Sequence, residues 1–133
     1  MNIKELKKNI SVKKIDFQEI IKISNTTVNE GNYPEAKNIP NATGIYIFFN
    51  DLMEPMYIGK STELRARYRT HFSDSNSKVF TALKQSSINI RYYTYALCKN
   101  NRDAEMYEMI YTSLYNPKLV DMTIKEINNK KVI

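Results

Sequence analysis

The chain has 133 residues, 42% of them hydrophobic and 26% charged, which is enough for one domain with a modest core and short of two. No apolar run approaches the ~20 residues of a membrane-spanning helix, and the basic start MNIKELKKNI lacks the apolar stretch and small-residue cleavage site of a secretory signal. Lys plus Arg number 20 against 14 Asp plus Glu, a formal charge of +6 that suits a polyanionic partner through counterion release, the alternative being a soluble basic protein without one.

Residues 1–23 carry Lys4, Lys7, Lys8, Lys13, Lys14 and Lys22. Phe17, Ile20, Ile21 and Ile23 recur at helical spacing and predict a short amphipathic helix over about 15–23. Two roles stay open for it: a basic arm on a nucleic-acid backbone, or a solvated helix packed by its Ile face. Residues 24–43 hold Gly31, Pro34, Pro40 and many Asn and Thr without periodicity, and predict a loop anchored by Tyr33 and Ile39.

From Gly44 the pattern changes. Tyr46 and Phe48 alternate with Ile45, Ile47 and Phe49, the period-two signature of a two-faced strand. Asn50-Asp51 is turn chemistry, Pro55 suits the start of a second strand, and Gly59 ends it. Ser61 is a candidate N-cap for a helix over roughly 61–72. There Leu64, Tyr68 and Phe72 form a buried stripe, with Arg67 and His71 paired one turn apart beside it. Arg65 and Arg69 project elsewhere, to solvent or to phosphate. Glu63, one turn before Arg67, makes a plain surface ion pair the alternative role for that arginine.

SDSNS at 73–77 reads as a polar loop, and Val79, Phe80 and Leu83 suggest a second short helix to about Gln85. Residues 88–97 are β-branched and aromatic and predict a third strand. On it Arg91, Tyr93 and Tyr95 share one face, for nucleic-acid contact or for sheet packing. Cys98 is the only cysteine, which excludes an internal disulfide and a cysteine-based zinc site and points to a reducing, cytoplasmic compartment. Asn101 or Asp103 caps a helix that runs to Tyr115 and is ended by Pro117. Met106, Tyr107, Met109, Ile110, Tyr111, Leu114 and Tyr115 make that helix apolar on nearly every side, so a central position is expected. Glu108 lies in its middle, and a buried carboxylate needs a cation, a donor or an opening to solvent. Glu105, one turn earlier, is expected to face solvent. Met122, Ile124 and Ile127 would dock the tail.

The ordered set Gly44-Ile45-Tyr46, Tyr57-Ile58-Gly59, Lys60 and Arg67 resembles the GIY-YIG nuclease family, over roughly residues 42–120. The resemblance implies an α+β fold, a small three-stranded antiparallel sheet flanked by helices. Residues 44–120 would form the nuclease domain, preceded by a basic helix and loop over 1–43 and followed by a tail over 121–133. It implies a DNA endonuclease dependent on Mg2+ (or Mn2+), nicking as a monomer or cutting both strands as a dimer, of phage, mobile-element or restriction type. DNA would be the partner, with a homodimer or a specificity-giving protein as further partners and no membrane.

The family also implies roles, residue by residue. Tyr46 and Tyr57 match the motif tyrosines, placed at one cleft with one acting on the attacking water. A free phenol has a pKa of about 10, and Lys60 is expected to lower it. Arg67 matches the arginine on the scissile phosphate, and His71 a proton-shuttling histidine of restriction-enzyme-like members. Glu108 matches the single metal-holding carboxylate. Gly44 and Gly59 would permit backbone positions closed to other residues. Arg65, Arg69, Lys60, Asn116 and Lys118 are candidates for DNA contact. One departure stands out: the family often carries an asparagine just past the proline that follows its glutamate, and here Pro117 is present but the matching position is Val120. The rival readings are a DNA-binding module with a decayed site and a basic scaffold whose tyrosines are all core.

Overall fold

Two stretches of alternating apolar residues pair as a hairpin, and the rest of the fold is layered on its two faces. The computed structural model describes residues 15–24, 33–73 and 90–119. In chain order these form β1 (Ile21–Lys22), a 3-10 helix (Pro34–Asn38), β2 (Gly44–Asn50), β3 (Pro55–Ser61), α1 (Leu64–Ser73), β4 (Ile90–Leu97) and α2 (Asn101–Tyr115). The sheet runs β1-β4-β2-β3 with every pairing antiparallel.

The α+β class is as expected, but the sheet has four strands rather than three. The fourth comes from the segment read as a helix over 15–23. Phe17 bridges Ala96, Ile21 pairs Tyr93 and Lys22 pairs Tyr92. Backbone bonds continue the pairing, Gln18 N–H to Tyr95 O at 2.8 Å and Ile23 N–H to Arg91 O at 2.9 Å. Phe17, Ile20 and Ile21 suit a helical period and Ile15, Phe17, Ile21 and Ile23 a period of two, and the open edge of β4 decides between them. Ile20, on the supposed helical face, is 45% exposed.

The β2–β3 turn is organised by Asn50, whose Oδ1 accepts from Leu52 N–H at 3.0 Å and Glu54 N–H at 2.9 Å. Alternation then sends Tyr46 and Phe48 to one face. They pack with Tyr93, with Leu64, Tyr68 and Phe72 of α1, and with Tyr33, Ala36 and Ile39. Tyr33 and Ile39 are therefore buried anchors, as expected, with a short 3-10 helix between them. Ile45 and Ala96 point to the other face, against Ala104 and Tyr107 of α2.

Helix ends differ from expectation in detail. Ser61 Oγ accepts from Glu63 N–H at 2.9 Å, ahead of the helix, while the N–H groups of Leu64 and Ala66 go to Ala42 O at 3.0 Å and Asn41 Oδ1 at 3.3 Å. A connecting loop thus caps α1 from outside. In α2 the N-cap is Asn100, accepting from Asp103 N–H at 2.8 Å, rather than Asn101 or Asp103. Nor is α2 central: it buries Ala104, Tyr107 and Ile110 and leaves Met109 65% exposed. Asn116 closes it in the left-handed conformation, with φ 47°. The helix expected near 79–85 and the tail over 121–133 lie outside the described residues.

Candidate active site

Strand register brings the two motif tyrosines together. Tyr46 pairs with Gly59, and Tyr57 with Phe48, so both phenols leave the same face as diagonal neighbours. Their rings stack at 6.1 Å with an interplanar angle of 27°. Tyr46 is fully buried and Tyr57 half-buried. A Cβ on Gly59 would fall on the Tyr46 phenol oxygen. The second motif's glycine therefore serves as room for the phenol, rather than as a relaxed backbone position. Gly44 does a similar service, since a Cβ there would meet the Ala96 carbonyl oxygen.

His71 joins from α1. It is 1% exposed, and its Nε2 lies 2.6 Å from Tyr46 Oη. Its ring sits edge-on to Tyr46, Phe48 and Tyr57. Burial first, and the charge of Arg67 second, push its pKa down to about 3, so the imidazole is neutral at ordinary pH. Burial likewise pushes the Tyr46 phenol up, helped by Tyr57, while Arg67 pulls the other way.

Arg67 is the cation of this cluster. Its charge acts on both Tyr46 and Tyr57, opposing the effect of burial on each phenol, and among the described residues it makes no ion pair with Glu63. Burial raises the Tyr57 pKa, and Arg67 is the group that opposes it most. The expected agent, Lys60, points elsewhere. Tyr57 and Lys60 are separated by an odd number of strand positions, so their side chains leave opposite faces. Lys60 Nζ reaches α2, 3.0 Å from Glu105 Oε1 and 3.1 Å from Asn101 Oδ1.

Glu108 is half-buried on α2. Burial raises its pKa, the Lys60 charge opposes this, and Glu105 adds to it. Its charge acts on both Tyr46 and Tyr57 and raises the pKa of each phenol. Among the described residues no three His, Cys, Asp or Glu side chains gather to hold a metal. A cation at Glu108 would thus have one protein carboxylate, with water and phosphate oxygens for the rest. That donor set fits Mg2+, which keeps most of its hydration.

The other candidates are spread out. Arg65 Nε donates to Ile39 O at 2.7 Å, tying α1 to the loop instead of projecting freely. Arg69 is exposed. Asn116 is exposed at the α2 C-cap, and Lys118 Nζ is 3.1 Å from Glu54 Oε2 beside the β2–β3 turn. Glu105 faces solvent as expected, and it also holds Lys60. Its spacing, four residues after Asn101 and three before Glu108 on one helix face, was the available signal.

Residues 42–122 match the GIY-YIG catalytic domain. The chain is 30% identical over 83 residues to UvrABC system protein C of Dictyoglomus thermophilum, covering 62% of this chain and 13% of that protein. It is 31% identical over 84 residues to the Clostridium botulinum protein of the same name, covering 63% and 13%. The chain thus spans a small part of the length of these relatives. Among solved structures, it resembles the GIY-YIG N-terminal endonuclease domain of UvrC from Thermotoga maritima bound to its catalytic divalent cation, magnesium. The TM-score is 0.54 at 28% identity, over 63% of this chain and 89% of that one.

Proposed function

Because the chain belongs to the GIY-YIG family, we propose that it is a Mg2+-dependent endonuclease that hydrolyses DNA phosphodiester bonds. The observation that carries this reading is the pair of stacked motif phenols, Tyr46 and Tyr57, with the buried His71 Nε2 2.6 Å from Tyr46 Oη and the charges of Arg67 and Glu108 acting on both phenols. The magnesium-bound UvrC domain supports the choice of ion.

Hydrolysis of a phosphodiester needs an activated water, stabilisation of an anionic transition state, and leaving-group help. Arg67 supplies a planar fork for two phosphate oxygens. Tyr57, the less buried phenol, orients the attacking water, whose proton leaves to solvent. Tyr46, held by His71 Nε2 2.6 Å away, keeps the stacked Tyr57 ring in place. Burial keeps the His71 ring neutral, so it acts here as a hydrogen-bond partner and not as the final proton acceptor. Glu108 would hold Mg2+, which when bound supplies positive charge against the phosphate.

One Arg67 and one Glu108 face one phosphate, so a single copy nicks, and a second cut needs a second copy or a second visit. Cys98 as a free thiol supports a reducing, cytoplasmic setting. A phage, mobile-element or restriction origin is proposed on the resemblance alone. The test is supercoiled plasmid with Mg2+, with EDTA, and with Glu108→Ala. Nicked or linear product in the first condition only is expected. Val120, in place of the family's asparagine, favours a second reading, a DNA-binding module with a decayed site. Intact plasmid with tight, salt-sensitive binding would select it.

A further inference from the structure

We propose that Glu105 is a positioning residue that holds the Lys60 ammonium off the Glu108 carboxylate and so keeps that carboxylate open to the divalent cation. The inference rests on the reading of Glu108 as the metal-holding group.

Lys60 lies along one stripe of α2. Its Nζ lies 3.0 Å from Glu105 Oε1 and 3.1 Å from Asn101 Oδ1, and its charge acts on the Glu108 carboxylate. Asn101, Glu105 and Glu108 follow each other at four and three residues, the spacing of a single helix face. Glu108 lies one turn beyond Glu105 on that helix face, so the Lys60 stem is long enough to carry its ammonium from one carboxylate to the other. A half-buried carboxylate beside an ammonium pairs with it unless something else takes the charge. A direct Lys60–Glu108 pair would place an ammonium where the cation must bind. Two acceptors nearer the N-terminus of α2 prevent this: a charged one in Glu105 and a neutral one in Asn101. The Lys60–Glu105 pair is largely exposed, with side chains 31% and 57% accessible. Pairs of that kind add little to stability, so its consequence lies in where the ammonium is held.

The experiment measures Mg2+ binding to the full chain by calorimetry without DNA, so turnover plays no part. Glu105→Ala should weaken binding about tenfold or more, the usual scale for a residue that orients a metal ligand. Glu105→Gln keeps an acceptor for Nζ and should lose less than Glu105→Ala. Asn101→Ala changes no charge and should weaken binding in the same direction. Lys60→Met combined with Glu105→Ala should restore binding to at least the parent level. Equal losses in Glu105→Ala and Glu105→Gln with none in Asn101→Ala would reduce the effect to bulk charge and overturn the proposal. Failure of the double variant to recover would make Glu105 a ligand and overturn it too. If the parent chain binds Mg2+ and Glu108→Ala abolishes binding while Glu105→Ala leaves it unchanged, this inference alone falls. If the parent binds no Mg2+, the reading beneath it falls as well.

Discussion

Gly59 faces Tyr46 across the hairpin so closely that a methyl group on the glycine would occupy the place of the phenol oxygen. Tyr46 cannot step aside, because its ring is enclosed by Phe48, Tyr57, Tyr93 and His71. Gly59→Ala should therefore push the phenol from His71. Misplacing a reacting group by about 1 Å lowers rates roughly hundredfold, and overpacking a core costs about 1–3 kcal/mol. Plasmid-nicking rates and urea denaturation measure both. A Gly59→Ala variant with parental rate and stability would show that the phenol's position is not what the glycine secures.

His71 makes stability depend on pH. Its pKa is lowered from 6.5 to about 3, so between those values the unfolded chain binds the extra proton. The contribution is complete above pH 6.5 and is lost as pH falls toward 3, by at most about 1.4 kcal/mol per pH unit. Glu108, whose pKa is raised, works in the opposite sense as pH rises, so the comparison must be between variants. Denaturation at pH 7 and pH 5 should show a larger loss for the parent than for His71→Gln. Equal losses would mean that the imidazole is protonated in the folded chain.

The same residues show how much of the fold was legible beforehand. Period two across Ile45–Phe49 and the four-residue spacing of Leu64, Tyr68 and Phe72 each answer to one structure only, and both elements formed as read. The 15–23 segment answers to two periods, and nothing local says that β4 has a free edge beside it. Lys60 was legible but misassigned: three residues from Tyr57 is close along the chain, yet odd spacing in a strand means opposite faces. His71 lies seven residues after Leu64 and three after Tyr68, which puts it on the buried face of α1. The greasiness of α2 overstated its burial, since Met106 and Met109 project outward.

Glu35 fastens the N-terminal segment to α1. It is 9% exposed, with Oε1 accepting from the Tyr68 hydroxyl and Oε2 from the Ser24 hydroxyl, both at 2.7 Å. Glu35→Ala would leave a buried phenol without its acceptor, at about 2–3 kcal/mol. Glu35→Gln keeps one carbonyl oxygen and should lose less. Urea midpoints rank the two, and Tyr68→Phe in the Glu35→Ala background should recover part of the loss. If Glu35→Ala matches the parent, this carboxylate is not a fastening.

Arg67 and Arg65 sit two residues apart on α1 but differ in what they hold. The Arg67 guanidinium lies among the phenols, and Arg65 donates to Ile39 O at 2.7 Å. Arg67→Lys keeps a positive charge but loses the planar fork, so it cannot hold two phosphate oxygens at once. Removing a preorganised donor to a developing anion lowers turnover by about 100–1,000-fold. Nicking by Arg67→Lys should fall on that scale, mainly in kcat, with thermal stability close to the parent's. Arg65→Ala should do the reverse, lowering the melting temperature while nicking at permissive temperature persists. The two outcomes exchanged would place the phosphate-holding arginine at 65 and undo the assignment of the cleft.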